Sequence, residues 1–328
     1  DDGRVRWVTR RSQIMTGADA ATQTSISEWR RLQQSDALGF SAYANFLAAN
    51  SGWPGEARMR RLAESSITPA SFVPSQVVSF FTRYPPRTAT GHARFALALS
   101  AMGRAGEAQV EARSAWRGGS LALADENQLL GMFGSGFSTD DHGARADALL
   151  WARNPAAAER ILAYLPGNVR AVAEARIAMQ RGAPDAGNKV QFAIPYATGN
   201  AGFIADRASW LNGAGNAMGA QSMLARRETL STRPVDAEKW FEYLLSNARA
   251  ATKTGDYSTA YGIASKVDDA YAPMIDVRDR SIGERDDYTS LTWLAGFTAY
   301  YNLYRPREAI AMFDRYASGA RSPQTIAK

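Results

Sequence analysis

The chain contains no cysteine and only two histidines, His92 and His142, among its 328 residues. Without cysteine, disulfides, thiolate metal sites and a cysteine nucleophile are excluded. Two histidines exclude a three-histidine metal site and leave a histidine-dependent triad only two bases. Strand-like patterning is scarce. The closest alternating stretch, Phe72-Val73 with Val77-Val78, is interrupted by Pro74. No apolar run reaches the eighteen or so residues of a membrane helix. The longest, Trp293 to Leu303, carries Gly296, Thr298 and Asn302, so the chain is read as not membrane-spanning. No Walker loop, dinucleotide fingerprint or Gly-x-Ser-x-Gly elbow occurs, and no cofactor is expected. No secretory leader precedes Asp1-Asp2-Gly3, so the chain is either cytoplasmic or starts where a leader was removed.

What is present suits a folded, soluble protein: hydrophobic residues are 45% and charged residues 21%. Thirty-eight Lys and Arg against thirty-two Asp and Glu give +6, with arginine pairs at Arg10-Arg11, Arg30-Arg31, Arg60-Arg61 and Arg226-Arg227. That balance is a weak hint of an anionic partner. The charges are dispersed with no long block of one sign, as on solvated helix faces whose Arg stems cover apolar surface. No per-repeat nucleic-acid code is visible, and no nucleic-acid partner is expected.

Helical periodicity runs through the chain. Ala158, Ile161, Leu162 and Leu165 form one stripe, and Trp240, Tyr243, Leu244 and Ala248 another. Trp293, Phe297, Tyr300 and Tyr304 form a third, and Ala309, Phe313 and Tyr316 a fourth. Short breaks rich in Gly, Pro and Asn separate the stripes, giving roughly fifteen to nineteen helices joined by short loops. Thr139-Asp140-Asp141-His142 reads as a helix entry capped by a hydroxyl or a carboxylate.

A turn unit recurs. It runs through Gly52 to Ala57, Gly103 to Ala108, Asn154 to Ala158, Gly255 to Ala260 and Tyr304 to Ala309. A small Ala after a tight turn lets two antiparallel helices approach, as at the second helix of a tetratricopeptide-like hairpin. The spacing, nearer fifty than thirty-four, is too uneven for a regular tetratricopeptide array. The expected fold is all-α, an irregular superhelix of hairpins that is curved or ring-forming. A leading segment 1–22 is set apart from an α-superhelical domain over 23–328.

Four segments carry a family resemblance. They are Ala49-Asn50-Ser51-Gly52-Trp53-Pro54 leading to Arg61-Leu62-Ala63-Glu64, and Ala115-Trp116-Arg117-Gly118-Gly119 with Asp125-Glu126. The third runs from Phe137 through Asp140-Asp141-His142-Gly143-Ala144-Arg145 to Leu149-Leu150-Trp151. The fourth runs from Thr292-Trp293-Leu294-Ala295-Gly296-Phe297 through Ala309 and Phe313 to Arg321-Ser322-Pro323. In order and spacing, over roughly residues 35–328, they resemble the N-terminal superhelical region of soluble lytic murein transglycosylases of the Slt type. The resemblance implies a periplasmic scaffold with peptidoglycan glycan strands as its partner, and other cell-wall proteins as further possible contacts. It also implies a separate C-terminal lysozyme-like domain in cis, before which this chain is truncated. That domain cleaves the bond between N-acetylmuramic acid and N-acetylglucosamine to give 1,6-anhydro products.

The family's catalytic Glu-Ser, followed by a Gly-Ala-x-Gly-Leu-Met-Gln loop, has no counterpart here. Glu64-Ser65 has the dipeptide, but no glycine follows until Gly91, and it reads as the end of an amphipathic helix. Gly213-Ala214-Gly215-Asn216-Ala217-Met218 reads as a loop between helices. No residue qualifies as catalytic, cofactor-binding or metal-ligating, and whether the chain is itself an enzyme stays open. Asp268, Asp269, Asp276, Asp279, Glu284, Asp286 and Asp287 lack calcium-loop spacing and are interleaved with Arg278, Arg280 and Arg285, so they read as ion-paired surface or caps. Trp293, Tyr300, Tyr301 and Tyr304 either stack on sugar rings or sit in the core, and their spacing favours the core. The alternative function is a non-enzymatic tetratricopeptide-like scaffold that binds a peptide on its concave face.

Overall fold

A computed structural model describes residues 19–68 and 72–320. Most of the leading segment 1–22, the Arg10-Arg11 pair and Arg321-Ser322-Pro323 lie outside the described residues. Among the described residues there are seventeen α-helices and no strand. In order they are α1 (Ala20–Gln34), α2 (Phe40–Ala49), α3 (Glu56–Ser65), α4 (Pro74–Arg83), α5 (Ala89–Ala101), α6 (Ala105–Arg117), α7 (Leu123–Phe133), α8 (Thr139–Trp151) and α9 (Pro155–Ile161). Then come α10 (Gly167–Arg181), α11 (Ala186–Ala193), α12 (Ala201–Gly213), α13 (Ala217–Ala225), α14 (Ala237–Lys253), α15 (Tyr257–Ala264), α16 (Ile282–Phe297) and α17 (Pro306–Gly319). The strand-like Val77-Val78 lies inside α4, because Pro74 occupies a first-turn position where its missing N–H leaves no bond unmade.

The helices group into two compact units, residues 1–141 and 142–328. In the first, α2 and α3 pair, α5 and α6 pair, and α3 and α4 both rest on α5. Tyr43, Leu47, Met59, Phe81, Leu99 and Trp116 are sealed inside it. Burying one such large side chain contributes about 1.5–3 kcal/mol.

The second unit repeats one arrangement four times: the hairpins α10/α11, α12/α13, α14/α15 and α16/α17. First helices stack along α10, α12, α14 and α16, and the second helices α13 and α15 pack on each other. This is the neighbour-on-neighbour packing of an α-solenoid. Trp240, Phe241, Leu244 and Leu291 are buried at its centre.

One turn closes three of these hairpins, at Gly182, Gly215 and Gly255, and recurs after α5 and α8, whereas at the α16/α17 turn the Arg305 N–H bonds six residues back to Ala299. Gly103, Arg153, Gly182, Gly215 and Gly255 all have positive φ, between 57° and 78°. The N–H of the next residue bonds back five residues: Arg104 to Leu99, Asn154 to Leu149, Ala183 to Ala178, Asn216 to Leu211 and Asp256 to Ala251. That is the Schellman stop, which favours glycine because a Cβ is crowded in the left-handed region. Asn154, Asn216 and Asp256 then cap the second helix with their side-chain oxygens. The turns at Gly182 and Gly215 are two members of the series that the sequence pattern passes over. With them included, α10, α12 and α14 start at residues 167, 201 and 237, which are 34 and 36 apart. Gly182 and Gly215 fill the long gap between Asn154 and Gly255, while the intervals near fifty on either side of it remain.

Candidate functional site

The segments that carry the family resemblance supply packing and polar anchors. Both oxygens of buried Glu64 are taken: Oε1 accepts the Arg87 N–H at 2.9 Å and Oε2 the Thr88 hydroxyl at 2.6 Å. Thr88 in turn caps α5 by accepting the Gly91 N–H. Glu64 therefore fixes a helix entry. Trp53 lies edge-on to Phe46, and Trp116 is sealed and stacked on Phe137 at 5.0 Å. Arg94 grips Asp125 with two hydrogen bonds, at 2.7 and 3.1 Å. Gly296 lies where an added Cβ would meet Phe313 at 2.8 Å, so α17 packs close against α16.

The entry of α8 is capped by Ser138, not by Thr139. Ser138 Oγ accepts the Asp141 N–H, while Asp141 accepts the Ser138 N–H and hydroxyl, each at 2.9 Å. This reciprocal pair is a capping box. Arg117 and Arg113 also donate to Asp141, at 2.9 and 3.2 Å. Burial alone would raise the Asp141 carboxyl, but Ser138, Arg117 and Arg113 outweigh it and hold the group below its ordinary range. His142 stacks on Tyr164 at 4.7 Å. His92 has no acidic residue near it in sequence, yet its Nδ1 lies 2.6 Å from Glu111 Oε2.

Several of the late carboxylates have partners of their own, whereas Asp287 makes no hydrogen bond or ion pair with another described residue. Asp268 accepts from Tyr288 and Arg315, Asp269 from Arg227, Asp276 from Arg278 and Glu284 from Tyr271. No group of His, Asp and Glu fit to hold a metal ion occurs among the described residues. One member of each described arginine pair is likewise occupied: Arg31 by Glu28, Arg60 by the Pro85 carbonyl, and Arg227 by Asp269 and three carbonyls.

The aromatic stripe near residue 300 departs from its expected place in the core. Phe297, Tyr300, Tyr301 and Tyr304 are exposed, by 46%, 52%, 58% and 83%. The buried face of this helix is the neighbouring stripe of smaller residues: Leu291, Thr292, Ala295, Thr298 and Ala299. A π-helical turn over Thr298–Asn302 follows α16, and Tyr304 closes it with φ of 56°. A π turn and a non-glycine residue in the left-handed region cluster at functional sites more often than elsewhere. Phe297 and Tyr301 lie 4.6 Å apart, and Tyr300 stands edge-on to Tyr301 at 4.8 Å.

Beside this ledge a groove follows the first helices α14 and α16. It has two chambers of about 460 and 450 Å³, and Arg249 lines both. Trp293 and Phe297 line the first, and Glu242, Lys253 and Asp287 the second. Trp293 is held rigid by Phe313 and Tyr316 at 5.4 and 5.2 Å. A sequence signal for the groove exists: Glu242, Ser246, Arg249 and Lys253 form a polar stripe around the helix from buried Trp240, Leu244, Ala248 and Ala251.

No protein-family model matches the chain, and no curated protein matches it.

Proposed function

We propose that this chain is the helical scaffold of a soluble lytic transglycosylase, holding peptidoglycan glycan strands for a catalytic domain in cis that cuts between N-acetylmuramic acid and N-acetylglucosamine. The scaffold works in the periplasm, contacts other cell-wall proteins there, and supplies binding and access, not chemistry. The four-segment resemblance supports this reading. The exposed ledge of Phe297, Tyr300, Tyr301 and Tyr304 is the observation that carries it. Large aromatic rings left in water form a contact surface, and a flat ring offers its face to the apolar C–H face of a pyranose. The +6 net charge fits an anionic wall polymer.

The test is co-sedimentation of the chain with purified sacculi. Retention of the wild type, and its loss in the Tyr300→Ala/Tyr301→Ala variant, is the expected result. A wild-type chain that stays in the supernatant overturns the proposal.

A peptide-binding scaffold of the tetratricopeptide type is the second reading. It is favoured by a groove of about 440 Å³ lined by Ser41, Asn45, Ser75, Gln76 and Arg83 of α2 and α4, whose polar groups suit a peptide backbone. Capture of one defined protein, with no retention on sacculi, selects that reading.

A further inference from the structure

The groove along α14 and α16 differs in character between its two ends. The first chamber is a platform: Trp293, braced by two rings, with Phe297 at its rim. The second is dipolar, with Glu242 and Asp287 set against Arg249 and Lys253. Arg249 and Lys253 are four residues apart and so lie on one side of α14. None of the four charged side chains makes a hydrogen bond or ion pair with another described residue, whereas Asp268 and Asp269 of the same unit are paired with Arg315 and Arg227. Along α14 the span from Glu242 to Lys253 is about 17 Å at the helical rise of 1.5 Å per residue.

We propose that this groove binds a glycopeptide: a hexosamine ring on Trp293 and Phe297, and a short zwitterionic peptide carried by that sugar in the charged chamber. The inference rests on the peptidoglycan reading above and adds what that reading leaves open, a demand for the peptide-bearing form of the glycan. Peptide carboxylates face Arg249 and Lys253, and a peptide ammonium faces Glu242 and Asp287. A neutral glycan would leave the four charges without partners, and a purely anionic or cationic one would meet like charge at one end. The Asp287 carboxyl agrees with this assignment. Burial, and then the nearby Glu242 and Glu238, push it above its ordinary range, with Arg249 opposing. An incoming ammonium would relieve that crowding.

Calorimetric titration of the full chain with a disaccharide-tetrapeptide, and with the same disaccharide lacking the peptide, tests the assignment. The peptide-bearing ligand is expected to bind about tenfold or more tightly, equivalent to 1.4 kcal/mol. Lys253→Glu, an exposed change confined to the charged chamber, should erase that preference while sparing the weaker binding of the bare disaccharide. Phe297→Ala, also exposed, should weaken both ligands alike. Unchanged melting temperatures would show both variants to be folded. Equal affinity for the two ligands, or a preference that survives Lys253→Glu, overturns the groove assignment. If sacculi still retain the wild-type chain in that case, the glycan-holding reading stands without it. If sacculi do not retain it, both fall.

Discussion

Arg176 donates its Nε hydrogen to Asp206 Oδ2 at 2.7 Å, and both side chains are almost sealed from water in the second unit. Asp147 takes the other arm of Arg176, and Gln180 and Arg153 complete the shell of Asp206. A buried charge that loses its partner keeps its desolvation penalty, so Asp206→Ala should cost about 3–5 kcal/mol. Urea unfolding of the two proteins checks this. A loss under 1 kcal/mol would mean that water reaches the site freely.

The same pair constrains its neighbour Gly202. A Cβ there would collide with the Arg176 guanidinium. Because that group is locked in its ion pairs, Gly202→Ala should destabilise by about 1–3 kcal/mol, the usual result of overpacking. Gly187→Ala, where a Cβ meets nothing within 4 Å, is the control and should not destabilise. Thermal melts of the two variants separate steric crowding from a general effect of changing glycine.

The hairpin turns make a paired prediction. Gly255 and Tyr304 occupy equivalent turn positions with φ of 78° and 56°. Tyr304→Gly removes the crowding between Cβ and backbone and should stabilise by about 1 kcal/mol, whereas Gly255→Ala should destabilise by a similar amount. Chemical denaturation measures both. If the same Tyr304→Gly variant also binds sacculi less tightly, the strained tyrosine is kept for binding at the expense of stability.

Asp141 predicts a pH dependence. Its folded carboxyl lies below the usual 3.8, so its stabilising contribution is complete above that value. The contribution is lost as pH falls from about 3.8 through the lower folded value. Asp141→Asn should therefore cost about 1.5–3 kcal/mol at neutral pH, the range for hydrogen bonds to a charged group. The gap from the wild type should close in acid. A gap that is constant with pH would mean that the charge of Asp141 contributes nothing.

How far the sequence could be read depended on the range of the forces involved. The all-helical class follows from the 3.6-residue periodicity and the absence of alternating runs. The hairpin closure at Gly103 follows from the left-handed glycine, and that at Gly255 from the left-handed glycine and the capping Asp256 beside it. These signals act within about five residues, so they are written in consecutive letters.

Other features depend on what packs against each helix. The stripe of Trp293, Phe297, Tyr300 and Tyr304 has the spacing of a core face, yet the adjacent stripe of Thr292, Ala295 and Ala299 is buried. Gly296 and these small residues let α17 approach closely, and close packing excludes water more completely there than around the larger rings. Neither of two adjoining apolar stripes announces which one a distant helix will cover. His92 meets Glu111 from 19 residues away and Arg176 meets Asp206 from 30 residues away, pairings that no local pattern records. The groove of α14 and α16 belongs to the same class, since residues 254–281 separate its two helices and only stacking of one hairpin on the next sets their faces together. Composition and local periodicity thus determined which segments are helical and where they turn. Tertiary packing alone decided which faces remain in water to meet a ligand, because burial is a property of two surfaces and the sequence of one helix describes only its own.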